Sequence, residues 1–275
     1  MNQKQCRGLI LGAIILVSGS VPSWAQTPPQ KAWDILQAGA SDKNTDRRTH
    51  AVHALGLLVG NPRATAIAEK ALEDERPEVR TAAATALGQM ESKVSIPKLR
   101  KTVNDKEVSV SMAAAHALLA LKDEEAYGVF YAILTGTRKS GESLLARQAE
   151  MLNSPKKVAE FGFEEGIGFV PFAGIGWGAV RAVQSLHSND AALVRAGAAN
   201  VLANDPDPSS SEALVRAVSD KSWLVRAAAL DAIARRGDPA LLDSAITAMS
   251  DEKDIVKYTA AAAVIALSAV PAKKQ

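Results

Sequence analysis

One short motif recurs along this sequence at a fixed period, and it limits the possible folds more than any other feature. Arg48, Arg80, Arg195, Arg226 and Lys257 each stand six residues after an Asp or Asn (Asp42, Asp74, Asn189, Asp220, Asp251). Each is followed three residues later by alanine and seven residues later by an aliphatic side chain. The steps from 48 to 80, 195 to 226 and 226 to 257 are 32, 31 and 31 residues, and Asp105 to Leu118 keeps the frame with Ser111 in the basic position. A period of this length means stacked two-helix units, each too small to bury its apolar face alone, rather than a catalytic domain built around one pocket. The fold class that follows is all-α: an α-solenoid.

The mechanics of one unit are visible in Asp74-Glu75-Arg76-Pro77-Glu78-Val79-Arg80. Asp favours the turn before a helix, Pro suits its first position and Glu its positive end. Ala82, Ala83, Ala86 and Leu87 then supply helical periodicity. Hydrophobic residues make up 47% of the chain but aromatics only 4%, so the core has to be closely approaching helices with alanine between them.

This arrangement resembles HEAT repeats, of the short, alanine-rich kind also seen in phycobilisome-lyase-like proteins. The resemblance is carried by Asp74…Val79-Arg80…Ala83…Ala86-Leu87-Gly88 and Asp220…Val225-Arg226…Ala229…Ala232-Ile233, and more loosely by 48–56, 194–202 and 251–264. It covers about 31–121 and 177–267. It implies a superhelical scaffold and, in most members, the binding of other proteins. The HEAT-repeat deoxyhypusine hydroxylases bind iron through His-Glu pairs. Here His50, His53, His116 and His187 are followed by Ala51, Ala54, Ala117 and Ser188, so no such pair exists. HEAT-like DNA glycosylases need a basic concave face, which this sequence does not supply. The shared repeat does not by itself transfer lyase activity.

The N-terminus reads as a secretory signal: Lys4 and Arg7, an apolar run from Leu9 to Val17, and small residues ending Ser23-Trp24-Ala25. The run is shorter than the roughly 20 residues of a spanning helix. Cleavage after Ala25 removes Cys6, the only cysteine, and with it any disulfide or thiol chemistry. It also removes two bases from 32, leaving 30 against 30 acids, so a nucleic-acid partner is not indicated. The expected organisation is a signal over 1–25, a spacer over 26–30, repeat blocks over 31–136 and 176–270, and between them a degenerate repeat and insert over 137–175. Export ends in the periplasm or outside the cell.

Three sets of residues compete for function. The ladder Asp42, Arg48, Asp74, Arg80, Asp105, Arg195, Asp220, Arg226, Asp251 and Lys257 reads as structural, with Asp capping the second helix and the base bridging to the neighbouring unit. At 100° per residue, positions one, four and five after the basic slot turn away from the core. On that face lie the candidate partner contacts His53, Thr85, Met112, His116, Asn200, Leu230, Asp231 and Tyr258, of which only Asp231 carries a formal charge. Tight curvature, a groove for a protein segment, or cover by the insert would each account for so few charges. The third set is the insert, where Gly166 to Val180 has five glycines and no charge. Phe161, Phe163, Phe169, Phe172 and Trp177 are its candidate contacts, for packing, a partner or a membrane.

The histidines carry no metal site in this reading: His53 and His116 sit two units apart, beyond joint ligation at about 2 Å per bond. No glycine loop follows a strand as a nucleotide site requires. The expectation is therefore an exported, monomeric, non-enzymatic scaffold without cofactor or metal, holding a protein partner against its concave face. The alternatives are a lyase-like or enzyme-accessory factor presenting a small molecule, and a membrane-associated factor using the insert.

Overall fold

The computed structural model describes residues 26–135 and 191–270, and among the described residues it is entirely helical. Twelve α-helices follow in chain order: α1 (Pro28–Ala40), α2 (Thr45–Ala54), α3 (Pro62–Ala71), α4 (Pro77–Gln89), α5 (Ile96–Thr102), α6 (Val108–Ala120), α7 (Ala126–Leu134), α8 (Ala191–Leu202), α9 (Pro208–Ala217), α10 (Trp223–Arg236), α11 (Leu242–Ala248) and α12 (Asp254–Ser268). Single 3₁₀ turns, Leu55–Leu57, Lys93–Ser95 and Pro239–Leu241, tighten three of the connections. The architecture is an all-α solenoid of two-helix units.

Local chemistry starts these helices. Proline occupies a first-turn position in α1, α3, α4, α5 and α9, where its missing N–H costs nothing. Asn61 Oδ1 accepts from the Arg63 and Ala64 amides at the start of α3, and Asp207 from the Ser209 amide at the start of α9. The spacer expected over 26–30 is already helical from Pro28, because the Thr27 amide donates to Gln30 Oε1 and closes the first turn. At the far end of α10, Gly237 takes the left-handed conformation (φ 64°) that ends the helix.

Units pack through alanine. Ala82, Ala83, Ala84 and Ala86 of α4 and Ala113, Ala114, Ala115 and Ala117 of α6 are all buried. A Cβ on Gly88 would stand 2.9 Å from the Ala117 Cα, so glycine sets how close α4 and α6 come.

The units do not stack in sequence order. The even-numbered helices α2 to α6 and α8 to α12 form one layer whose spatial order is α8, α10, α12, α2, α4, α6. Helices α9, α11, α1, α3, α5 and α7 lie behind them. The C-terminal half is thus docked ahead of the N-terminal half, and α12 packs against both α1 and α2 as α10 packs against α12. Trp33, Ile35, Leu36 and Tyr258 belong to one continuous hydrophobic cluster that crosses this junction.

Candidate functional site

The ladder links each turn to the next unit. Arg48 donates through Nε and Nη2 to Asp74 at 2.9 and 3.0 Å, while its Nη1 donates to the carbonyls of Asp42 and Lys43 in its own turn. Arg80 repeats this toward Asp105 and its own carbonyls of Asp74 and Glu75, and Arg226 toward Asp251 and the carbonyls of Asp220 and Lys221. Arg195 makes the paired contact with Asp220 at 3.0 and 3.1 Å. The carboxylates also accept from the amide two residues on: Asn44 to Asp42, Arg76 to Asp74, Glu107 to Asp105, Ser222 to Asp220 and Lys253 to Asp251. They therefore close Asx turns before the second helix rather than capping it, a correction to the sequence reading. Burial opposes ionisation at Asp105, Asp220 and Asp251, yet the arginine and the backbone N–H outweigh it and hold each carboxyl below its ordinary value.

Two positions depart from the ladder. Ser111 gives its hydroxyl to the Val103 carbonyl, and Arg100 of α5 reaches Asp123 at 2.8 Å instead. Lys257 turns back to Asp254 of its own helix, while Asp42 of the unit that follows it in space is met by Arg47. There Arg47 bridges the two halves, with Nε 3.0 Å from Asp254 and Nη1 3.3 Å from Asp42. Beneath this network lies Tyr258, whose phenol is pushed up to about 12 by burial and by Asp254 and Asp42. Gly39 is its neighbour: a Cβ there would stand 2.5 Å from the Tyr258 Cε1.

A cavity of about 940 Å³ opens on the inner face of this junction. Its walls come from both halves: the end of α2 with the turn to Asn61, and Gln89 of α4, face Asn200 and Val201 of α8 and Asn204 in the turn after it, with α10 and α12 between them. His53, Asn200 and Asp231, from the predicted contact set, all line it. Thr85 and Met112 are half-buried and His116 is exposed, its ring edge-on to Phe130 at 5.0 Å between centroids; none of the three lines the cavity. Leu230 and Tyr258 are fully buried and present no surface, which corrects their assignment as contacts. Apart from Met112, positions one and four after the basic slot lie inside, as Thr49, Val52, Thr81, Ala84, Ala196, Ala199, Ala227 and Ala261 show. The second helices pack so closely that the flanks of each are interhelical. Phe161, Phe163, Phe169, Phe172 and Trp177 lie outside the described residues.

Among the cavity residues that escape the sequence reading are the polar Asn61, Gln89, Asn204 and Arg235. Gln89, Asn204 and Arg235 share one slot, nine residues after the basic position, which is one turn beyond the fifth. Arg235 is held from two helices, with Nε 2.8 Å from Asp231 Oδ2 and Nη2 donating to Asn200 Oδ1. Gln89 lies over Gly56, where a Cβ would meet its Oε1 at 1.9 Å. Burial raises the Asp231 carboxyl above its ordinary value, against the pull of Arg235. Burial, with His50 beside it, pushes the His53 imidazole down to about 4, so it is neutral at pH 7. Charges inside the cavity thus cancel, and amides make up much of its polar surface.

Among the described residues no cluster of three His, Cys, Asp or Glu side chains is arranged to hold a metal ion, and no helix is long and apolar enough to cross a membrane. Against known proteins, a family model of HEAT repeats matches residues 65–149 and 180–265. No curated protein sequence matches. Among solved structures, human deoxyhypusine hydroxylase in complex with glycerol aligns over 88% of this chain and 97% of its own, at 20% identity and a TM-score of 0.34. The complex of CpcE and CpcF of phycocyanin lyase from Nostoc sp. PCC7120 aligns over 93% and 100%, at 19% identity and a TM-score of 0.33.

Proposed function

The chain belongs to the HEAT-repeat family, and on that premise we propose that it is an exported scaffold that holds a segment of another protein on its inner face and performs no chemistry of its own. The observation that carries this reading is the cavity at the junction, about 940 Å³ in volume and lined by both halves. Its one ion pair, Asp231 with Arg235, is internally neutralised, and such a surface suits a polypeptide better than a nucleic acid or a charged metabolite. Export rests on the basic start at Lys4 and Arg7, the apolar run from Leu9 to Val17 and the small residues before Ala25.

The same volume supports a second reading, since small-molecule pockets span roughly 300–1,000 Å³: an accessory protein that presents a small molecule to an enzyme. One experiment tests the first. The full chain, tagged at its C-terminus and cross-linked in its export compartment, is compared with an Asn204→Lys, Ala266→Lys variant of equal melting temperature. The scaffold reading expects a defined polypeptide captured by the parent and lost from the variant. Capture that survives both lysines contradicts it.

A further inference from the structure

The junction and the cavity are one structure. Arg47 and Gly39 of the first unit meet Asp254 and Tyr258 of the last on one side of α12, and the cavity opens where α2, α4, α8, α10 and α12 converge. Neither half makes this cavity alone: Asn61 and Gln89 come from one, Asn204 and Arg235 from the other. A ligand seated there touches both halves and must favour their docking by the same free energy with which docking favours the ligand.

The lining also specifies the ligand. Gln89 and Asn204 each carry a donor and an acceptor, the same pair that a polypeptide backbone presents at every residue, and Asn61, whose Oδ1 caps α3, adds its amide NH2 as a donor. Arg235 spends Nε and Nη2 on Asp231 and Asn200, and its Nη1 has no acceptor among the described residues. It is a guanidinium fixed in place and suited to a carbonyl oxygen. Two large aliphatic side chains, Val59 and Val201, stand 63% and 72% exposed, one on each wall. A cationic ligand group would enter a seat whose carboxylate, Asp231, is already paired with Arg235 and would find no partner.

We infer that the cavity is a two-jaw seat for an uncharged, extended polypeptide segment with small aliphatic side chains, and that its occupancy clamps the C-terminal half onto the N-terminal half. The inference rests on the scaffold reading and adds the class of ligand and the coupling to docking. Backbone hydrogen bonds to the amides and Arg235 supply affinity, and the two valines select small apolar side chains.

The test uses the chain from Gln26 and a capped hexapeptide, acetyl-(Ala-Val)₃-amide, beside a counterpart carrying one central lysine. Calorimetry reads binding, and hydrogen exchange reads α1 and α12. The neutral peptide is expected to bind and the lysine peptide to bind about tenfold more weakly or worse, the effect of an unpaired buried charge. Saturating neutral peptide slows exchange at α1 and α12. Gly39→Val, outside the cavity, weakens binding by opening the junction, and Arg47→Ala does so where the valine variant fails to fold. Binding that leaves junction exchange unchanged, indifference to both junction variants, preference for the lysine peptide, or no peptide binding overturns the inference. Partner capture that persists without peptide binding sinks this inference alone, whereas capture indifferent to Asn204→Lys, Ala266→Lys sinks the scaffold reading beneath it.

Discussion

At Arg80 one guanidinium ties together three backbone and side-chain points on two units, and only 7% of the residue is exposed. Truncating it takes the guanidinium from Asp105 and from two turn carbonyls, so Arg80→Ala should cost about 3–5 kcal/mol, the usual penalty for breaking a buried pair. Arg195 makes the same paired contact with its side chain 40% exposed, and Arg195→Ala should cost about 1 kcal/mol or less. Urea denaturation of the two variants checks the contrast; equal losses would mean that the ladder does not work through burial. His53 gives a second residue-scale prediction. Its folded pKa of about 4 lies below the ordinary 6.5, so the unfolded chain binds the extra proton between those values. Stability should therefore fall as pH drops from 6.5 toward 4, and His53→Gln should flatten that limb of a melting-temperature profile. The ladder residues were readable because a fixed Asp-to-Arg spacing survives in sequence. The burial of Thr49, Leu230 and Tyr258 was not, because a helical wheel distinguishes core from non-core but does not say how tightly the neighbouring second helix presses on each flank.

The element that decides the architecture is α12 against α1. Gly39 admits the Tyr258 ring where any larger residue would collide with it, and Arg47 crosses above. Gly39→Val overpacks this contact and should cost about 1–3 kcal/mol. It should also separate the unfolding of the two halves into distinct calorimetric transitions, where the parent shows one. A single transition at the parent's temperature would show that α12 does not rest on α1. Helix identities were legible from alanine periodicity and from prolines placed at helix starts. The order of the units was not, because every unit carries the same Asp and Arg frame and can stack on any other. What singles out this pairing is a break in the frame, Lys257 for Arg and Arg47 beside Arg48, which in sequence looks like drift. Gln89, Asn204 and Arg235 are hidden for a related reason: the inner row runs beyond the fifth position after the basic slot and continues one turn further, at the ninth, close to where each helix ends.

Over the whole molecule, two sets of ionisable groups act in different pH ranges. Asp105, Asp220 and Asp251 titrate below their ordinary 3.8 when folded, so the stability they confer is complete above that value and is lost as pH falls beneath it. Acid unfolding should therefore steepen below about pH 4, after the shallower His53 limb. At the same scale, the stacking order accounts for the cavity, since α2 and α8 both reach it with α10 and α12 between them. The central claim is the spatial order α8, α10, α12, α2, α4, α6. Spin labels at Val59→Cys and Ala269→Cys, in a Cys6→Ser background where that residue is retained, test it directly by dipolar spectroscopy. Stacking of α12 on α2 predicts a separation within about two interhelical spacings, roughly 20 Å. Units stacked in sequence order would place the labels five or more spacings apart, about 50 Å, and a distance of that size would contradict the account.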